Sequence, residues 1–376
     1  MNIHIFHDDK FTNGAIEQFE RFYPNQNIYI VLLYNSAALT FTSPHEKMIT
    51  FALREKNIVA KIGDLVSSNN IKNLFVHYLD TYKASITLKI LAQHTLKFYW
   101  IFYGGDLYDY LSRYQQYDIL DTKSLKRNTR KEDLLKNIKY LLWFGWTTKT
   151  ALKNAFKRLD YFCFWNEYDF DLFHTQVETT AKHKDFIYYN ALGNADFPKV
   201  KKKNTLMINH SASPSGNHFF VFEAIRDIPF EENNFSILLP LSYGDKAYAD
   251  QIEASAHETL EAPILSLREF MPLQEYQTIL SEVKIAIFGM KRQEAAGNIF
   301  QLLNMGAKVF LREENTLFKW LKQRNFLIFS LTHDYHELNQ LTSLTVEQIE
   351  HNRDCYANTF NETVFTEMME HLIDKA

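Results

Sequence analysis

From Lys291 to Asn298 the chain reads Lys-Arg-Gln-Glu-Ala-Ala-Gly-Asn, and an apolar helical run follows, Ile299-Phe300-Gln301-Leu302-Leu303. A glycine at a helix start, here Gly297, lets the backbone come close to a ligand. The unpaired N–H groups of the first turn, with the helix dipole behind them, then favour an anion such as a diphosphate. Lys291 and Arg292 add positive charge just upstream. An apolar strand at Ile285–Phe288 precedes this loop, Gly306 closes the helix and a second strand follows at Lys308–Leu311, so the stretch predicts a βαβ unit. An ordinary crossover, in which Gly297 does no more than start a helix, is the alternative.

A second loop of the same kind follows the apolar run Leu206-Met207-Ile208 and reads His210-Ser211-Ala212-Ser213-Pro214-Ser215-Gly216-Asn217-His218. Its small hydroxyl donors suit phosphate oxygens or sugar hydroxyls. Helix capping by Ser213 or Ser215 is the competing use. Tyr243, in the turn after the next strand, is a candidate at the same cleft, although a turn with Asp245 as N-cap explains most of that stretch. Arg268 lies in residues 265–271, where an aromatic base would be clamped; a surface charge with no role is the alternative.

In the first half, the loop Phe102-Tyr103-Gly104-Gly105-Asp106 follows an aromatic strand. Gly104 and Gly105 permit a tight path that sets Asp106 at the cleft mouth, as a general base or a carboxylate that positions a hydroxyl. Capping of a helix beginning at Leu107 is the other reading. Glu167, after the strand ending at Trp165, is a second carboxylate of the same type. His7, Asp8, Asp9 and His77 complete a polar rim, and Asp9, Asn13, His77 and Gly105 are the candidate acceptor-binding residues. No His, Cys, Asp or Glu cluster has metal spacing, so neither a metal nor another cofactor is expected.

These loops need elements to position them. The 376 residues exceed one typical core and predict two domains. In the second half, short apolar runs at 206–208, 236–239, 262–265, 285–288, 308–311 and 326–329 alternate with helical patterns at 246–257, 273–281 and 316–323. In the first half, strands are expected at 2–6, 28–33, 73–77, 98–102, 161–165 and 186–189, with helices including 16–22 and 85–94. Such alternation implies parallel sheets covered on both faces, with ligands beyond the carboxyl ends of the strands. Residues 190–204, with their Lys201-Lys202-Lys203 run, read as a linker. The expected division is 1–190, then 191–345, then a helical tail 346–376 packing back on the first domain.

The net charge of −4 excludes a globally basic nucleic-acid binder. It conceals a local excess, however: the segment that begins at Lys123 and ends at Arg158 holds eight Lys and three Arg against Glu132 and Asp133, or +9. With Leu141-Leu142-Trp143-Phe144-Gly145-Trp146 in its middle, it suits an anionic membrane surface; a solvated charged face with buried aromatics is the alternative. Phe (31) and Tyr (21) are abundant, for core filling or for stacking on sugars and bases. Cys163 and Cys355 match neither a disulfide framework nor a metal site, which fits a reducing cytoplasm. The N-terminus lacks a basic start with a long apolar run, and no segment approaches the ~20 apolar residues of a bilayer span, so neither export nor membrane spanning is expected.

Arg292-Gln293 with Gly297, its apolar helix and Gly306, the segment FYGGDLY from Phe102 to Tyr108, and the loop from Asn209 with its following helix resemble the TDP-N-acetylfucosamine:lipid II N-acetylfucosaminyltransferases, glycosyltransferase family 56. The resemblance runs over most of the chain and is weakest in residues 30–70 and the tail. It implies a GT-B fold, with two Rossmann-like doubly wound domains facing a central cleft. It also implies transfer of a sugar, 4-acetamido-4,6-dideoxygalactose from a dTDP donor, to a saccharide on a polyprenyl diphosphate, as in enterobacterial common antigen synthesis. The work would take place at the cytoplasmic face of the inner membrane. His210, Ser211, Ser213, Ser215, Tyr243, Arg268, Arg292, Gln293, Gly297, Asn298 and Gln301 would hold the donor, and Asp106 or Glu167 would handle the proton. Where many relatives carry two glutamates in the donor helix region, Gln293 and Gln301 stand here. Glutamine keeps hydrogen bonds to hydroxyls without charge, which is compatible with a deoxyribose donor. A transferase of other nucleotide sugars, for capsule or lipooligosaccharide, and a catalytically silent carbohydrate-binding scaffold are the rival readings.

Overall fold

The computed structural model describes residues 1–34, 38–53, 55–121, 130–188 and 200–374. They fall into two compact units: residues 1–117, 130–188 and 365–374 form the first, and residues 118–121 and 200–364 the second.

The first unit is built on strands β1 (Asn2–His7), β2 (Asn27–Leu33), β3 (Met48–Ala52), β4 (Asn73–His77), β5 (Lys97–Ile101), β6 (Tyr161–Cys163) and β7 (Lys182–Lys184). They form one sheet in the order β3-β2-β1-β4-β5-β6-β7. The second unit holds β8 (Thr205–Ile208), β9 (Ser236–Pro240), β10 (Ile264–Leu267), β11 (Ile285–Phe288), β12 (Lys308–Leu311) and β13 (Phe329–Ser330), in the order β10-β9-β8-β11-β12-β13. Every ladder is parallel. Central strands such as Ile28-Tyr29-Ile30-Val31-Leu32 and Ile285-Ala286-Ile287-Phe288 are buried throughout, because helices cover both faces and leave no room for polar alternation. In both sheets the winding reverses beside the first strand, between β1 and β4 and between β8 and β11. Such a reversal opens a crevice at the strands' carboxyl ends.

Most of the aromatic excess is structural. Phe75 stacks on Tyr99 at 4.4 Å between ring centroids and Tyr99 on Tyr161 at 4.7 Å, inside the core of the first unit.

Three elements depart from the pattern of apolar runs. β3, an edge strand, is only partly buried and carries no clear alternation. β7 is Lys-His-Lys, the charged kind of edge that resists pairing with other chains, while Phe186 lies beyond it in the core. β13 covers only Phe329 and Ser330, later than the apolar run beginning at Phe326. The tail is two helices. Val346–Thr359 belongs to the second unit, whereas Glu362–Leu372 buries Phe365, Met369 and Leu372 against Phe19 and Tyr99 of the first.

Candidate active site

In the second unit the loops after β8 and β11 are stitched together by two asparagines in left-handed backbone, Asn209 (φ 57°) and Asn217 (φ 51°). Asn209 accepts from the Gly289 amide at 2.9 Å and donates to the Gly216 carbonyl at 3.0 Å. Asn217 donates to the Gly289 carbonyl at 3.2 Å. Asparagine tolerates this backbone region because its short amide bonds locally. Gly289 is required by the approach itself: a Cβ there would stand 2.4 Å from the Gly216 carbonyl oxygen. The loop after β9 joins them through Ala212, whose amide donates to the Tyr243 carbonyl at 2.7 Å.

The helix beyond the β11 loop runs Ala296–Asn304, one residue earlier than Gly297, and its N-cap is Ala295 at φ 63°. A non-glycine residue there costs roughly 1–2 kcal/mol, so the surrounding loops enforce the turn that aims the first-turn amides. A Cβ on Gly297 would meet nothing within 4 Å. No protein packing therefore demands a glycine at that position. At the other end Gly306 (φ 85°) closes the helix in a Schellman arrangement, with its amide on the Leu303 carbonyl and that of Ala307 on Leu302.

Between the two loops lies Glu294, to which the sequence alone assigns no role. Its carboxylate accepts from Ser215 Oγ at 2.7 Å, pairs with Arg292 at 2.9 Å and lies 3.8 Å from His210 Nε2. Ser213 Oγ adds a contact of 2.8 Å to Ser215. Hydroxyls, a guanidinium and an imidazole expected around a phosphate thus converge on a carboxylate of the chain itself. The local signal for Glu294 is its adjacency to Gln293 and its place two residues after Arg292. Ser211 and Gln293 are buried beside these loops.

Several other expected donor residues are bonded within the chain. Arg268 pairs with Asp250 and Glu253, two carboxylates one helical turn apart on the helix Lys246–Thr259. Asn298 accepts from the Tyr276 hydroxyl at 3.0 Å. Gln301 accepts from Gln277 at 3.0 Å and donates to the Gly297 carbonyl at 3.1 Å, so both side-chain amides tie the helix Leu273–Glu282 to the helix Ala296–Asn304. Lys291 is paired with Asp121 at 2.9 Å. Tyr243, 68% exposed, and Phe270, 87% exposed, are the aromatics that the loops after β9 and β10 present outward.

In the first unit, Asp106 is in the first turn of the helix Gly105–Tyr114, which starts two residues earlier than expected and is capped by Gly104 at φ 104°. Its Oδ2 accepts from Trp100 Nε1 at 2.6 Å and the Leu79 amide at 3.0 Å, and Oδ1 accepts from the Tyr103 amide at 3.3 Å. Burial pushes this carboxyl up to about 6, against the opposing hydrogen bonds from Trp100 and the backbone. Glu167 opens the helix Glu167–Gln176, where its charge complements the dipole. Asp9 accepts from the Phe11 amide at 2.8 Å, and Asn13 holds residues 41–43 through Phe41 and Ser43. His77 is not on a rim: it is fully buried, with Nε2 3.1 Å from His4 Nδ1 and Nδ1 2.6 Å from the Tyr188 hydroxyl. Its place in the last residue of β4 suggested exposure, but Phe6 stacks over it at 3.7 Å.

A pocket of about 580 Å³ opens in this unit at the ends of β2, β4 and β5, with Asp80, Asp106 and Asp109 among its lining carboxylates. Among the described residues, no group of three or more His, Cys, Asp or Glu is placed to hold a metal, and no helix is long and apolar enough to cross a membrane.

The whole chain has solved counterparts at low identity. Sucrose-phosphate synthase from Thermosynechococcus elongatus is 11% identical with a TM-score of 0.65, covering 99% of this chain and 98% of its own. A glycosyltransferase from Rickettsia africae ESF-5 is 10% identical with a TM-score of 0.60, at 97% and 96% coverage. An alpha,alpha-trehalose-phosphate synthase (UDP-forming) from Burkholderia xenovorans is 10% identical with a TM-score of 0.58, at 98% and 98%. These likenesses give the GT-B fold. A search of curated proteins finds no match. The family model described as 4-alpha-L-fucosyltransferase, glycosyl transferase group 56, matches residues 161–369, more than half of the chain, and the protein therefore belongs to that family and is a glycosyltransferase.

Proposed function

We propose that this enzyme transfers 4-acetamido-4,6-dideoxygalactose from a dTDP donor to a saccharide carried on a polyprenyl diphosphate. The observation that carries the donor half is the meeting of Ser215, bonded to Ser213, and Arg292 on Glu294, just before the open helix start at Gly297. There the diphosphate lies against Gly297 and Asn298 amides, and Arg292 swings between Glu294 and the departing phosphates. Glu294 is then placed to accept from sugar hydroxyls. In the first unit, Asp106 takes the proton of the attacking acceptor hydroxyl as its oxygen bonds to the anomeric carbon and the nucleoside diphosphate leaves; Glu167 is the alternative base.

The test is turnover. Incubated with a panel of dTDP-, UDP- and GDP-sugars and a short-chain polyprenyl diphosphate saccharide, the protein is expected to release free dTDP and extend the acceptor. Release from UDP- or GDP-sugars alone would give the rival donor, and binding without release from any would give the silent scaffold.

The acceptor's chain implies work at an anionic membrane, the inner face of the bacterial inner membrane in this reading. The helix Arg130–Phe144 supports it. Tyr140 and Phe144 face inward, while Leu134, Leu135, Ile138, Leu141 and Leu142 are exposed, Leu142 at 80%. Lys136 and Lys139 flank that stripe, within the segment of +9. Lys123, Lys126 and Arg127, which belong to the same basic segment, lie outside the described residues. A bilayer with anionic headgroups satisfies both features at once. Replacing Ile138 and Leu142 together by Ser is expected to leave Tm within a degree or so while weakening sedimentation with phosphatidylglycerol vesicles at least ~10-fold, since each buried side chain contributes about 1.5–3 kcal/mol. Undiminished sedimentation would sink the membrane reading.

A further inference from the structure

The same helix also forms one wall of the 580 Å³ pocket, contributing Leu135, Lys136, Lys139 and Tyr140. Opposite stand the ends of β2 and β4 and the helix Gly105–Tyr114. The pocket is lined by six tyrosines, Tyr34, Tyr78, Tyr82, Tyr110, Tyr114 and Tyr140. Rings with a hydroxyl edge stack on sugar faces and bond their hydroxyls. Arg113, Lys136 and Lys139 bring three cations to this pocket, and Asp106 lies in its wall beside Asp80 and Asp109. Leu135 belongs both to the pocket and to the exposed apolar stripe, so the pocket adjoins that stripe.

We infer that this pocket is the seat of the acceptor's diphosphate and first sugar, with Arg113, Lys136 and Lys139 on the phosphates and the prenyl chain leaving past Leu135 into the bilayer. The inference rests on the function proposed above and adds its acceptor site. One amphiphile class matches this set of features: a hydrocarbon chain, a doubly charged linker and a sugar, against an apolar stripe, three cations and six tyrosines. The expected acceptor residues Asp9 and Asn13 are not among this pocket's lining residues.

The experiment uses the full chain with farnesyl diphosphate as probe, farnesol and inorganic pyrophosphate as its two halves, and dTDP as an independent reporter on the second unit. Farnesyl diphosphate is expected to bind at least ten-fold more tightly than either half. Lys136→Glu with Lys139→Glu, and separately Arg113→Glu, are expected to weaken it ten-fold or more while dTDP affinity and the circular dichroism spectrum stay unchanged. Phosphatidylglycerol vesicles are expected not to displace the probe. Equal binding by wild type and variants overturns the assignment, as does displacement by those vesicles, which would make the pocket a general headgroup site. A wild type that fails to bind dTDP would instead strike the proposed function, so the two failures are distinguishable.

Discussion

Gly297→Leu is expected to abolish donor binding without harming the fold. At this position a new side chain enters open space, since a Cβ meets nothing within 4 Å, and the backbone is not in the left-handed region. Glycine is also a poor helix residue, so Gly297→Ala is expected to hold or raise stability by up to about 1 kcal/mol. The glycine is thus costly for folding, and its benefit must lie in what approaches it. A branched side chain projecting over the first turn displaces a diphosphate from two or more amides, each a charge-assisted bond of about 1.5–3 kcal/mol. Loss of binding by roughly 100-fold or more follows, measured by titration with dTDP. Unchanged Tm with unchanged affinity would falsify the anion role of this turn.

The features that make this turn readable are local, and those that escape are not. Ile285–Phe288, Gly306 and Lys308–Leu311 announce a strand, a helix stop and a strand through side chains within a few residues of one another. Parallel strands buried on both faces leave continuous apolar runs, which is why most of both sheets is visible in the sequence. β3 and β7 are edges, whose residues answer to solvent on one side, and Lys182-His183-Lys184 resembles a loop for that reason. The site is legible to the level of its loops. Its pairings are not, because Arg268 finds Asp250 and Glu253 only once β10 lies beside β9 and the following helix folds back. His77 ends a strand, which suggests a rim, and only the packing of Phe6, His4 and Tyr188 around it removes it from solvent. Glu294 shows the converse: its neighbours Ser215 and His210 are about eighty residues distant in the chain, so its place between the two loops cannot be read from the residues around it.

Asp106→Asn is expected to reduce kcat by about 10²–10⁴-fold while keeping the fold, if this carboxylate is the base. A buried carboxyl raised to about 6 is matched to proton abstraction near neutrality. It must be ionised to act, so wild-type turnover is expected to fall as pH drops through about 6. Stability should run the other way. Because the folded value lies above the ordinary 3.8, folded and unfolded chains both hold the proton at low pH. Between the two values only the folded chain holds it. Stability is therefore lost as pH rises through that window, by up to about 3 kcal/mol, since each pH unit between the two values is worth about 1.36 kcal/mol. Asparagine does not titrate, so the wild-type minus Asp106→Asn difference in stability isolates this slope. Asp106→Ala instead leaves the Trp100 indole and the Leu79 and Tyr103 amides without their acceptor, at about 1–3 kcal/mol for each buried donor, and is expected to unfold at markedly lower temperature. One group thus raises activity and lowers stability over the same pH interval. A folded Asp106→Asn enzyme that turns over near the wild-type rate would transfer the role of base to Glu167, and one that keeps the limb near pH 6 would show that Asp106 does not set that limb.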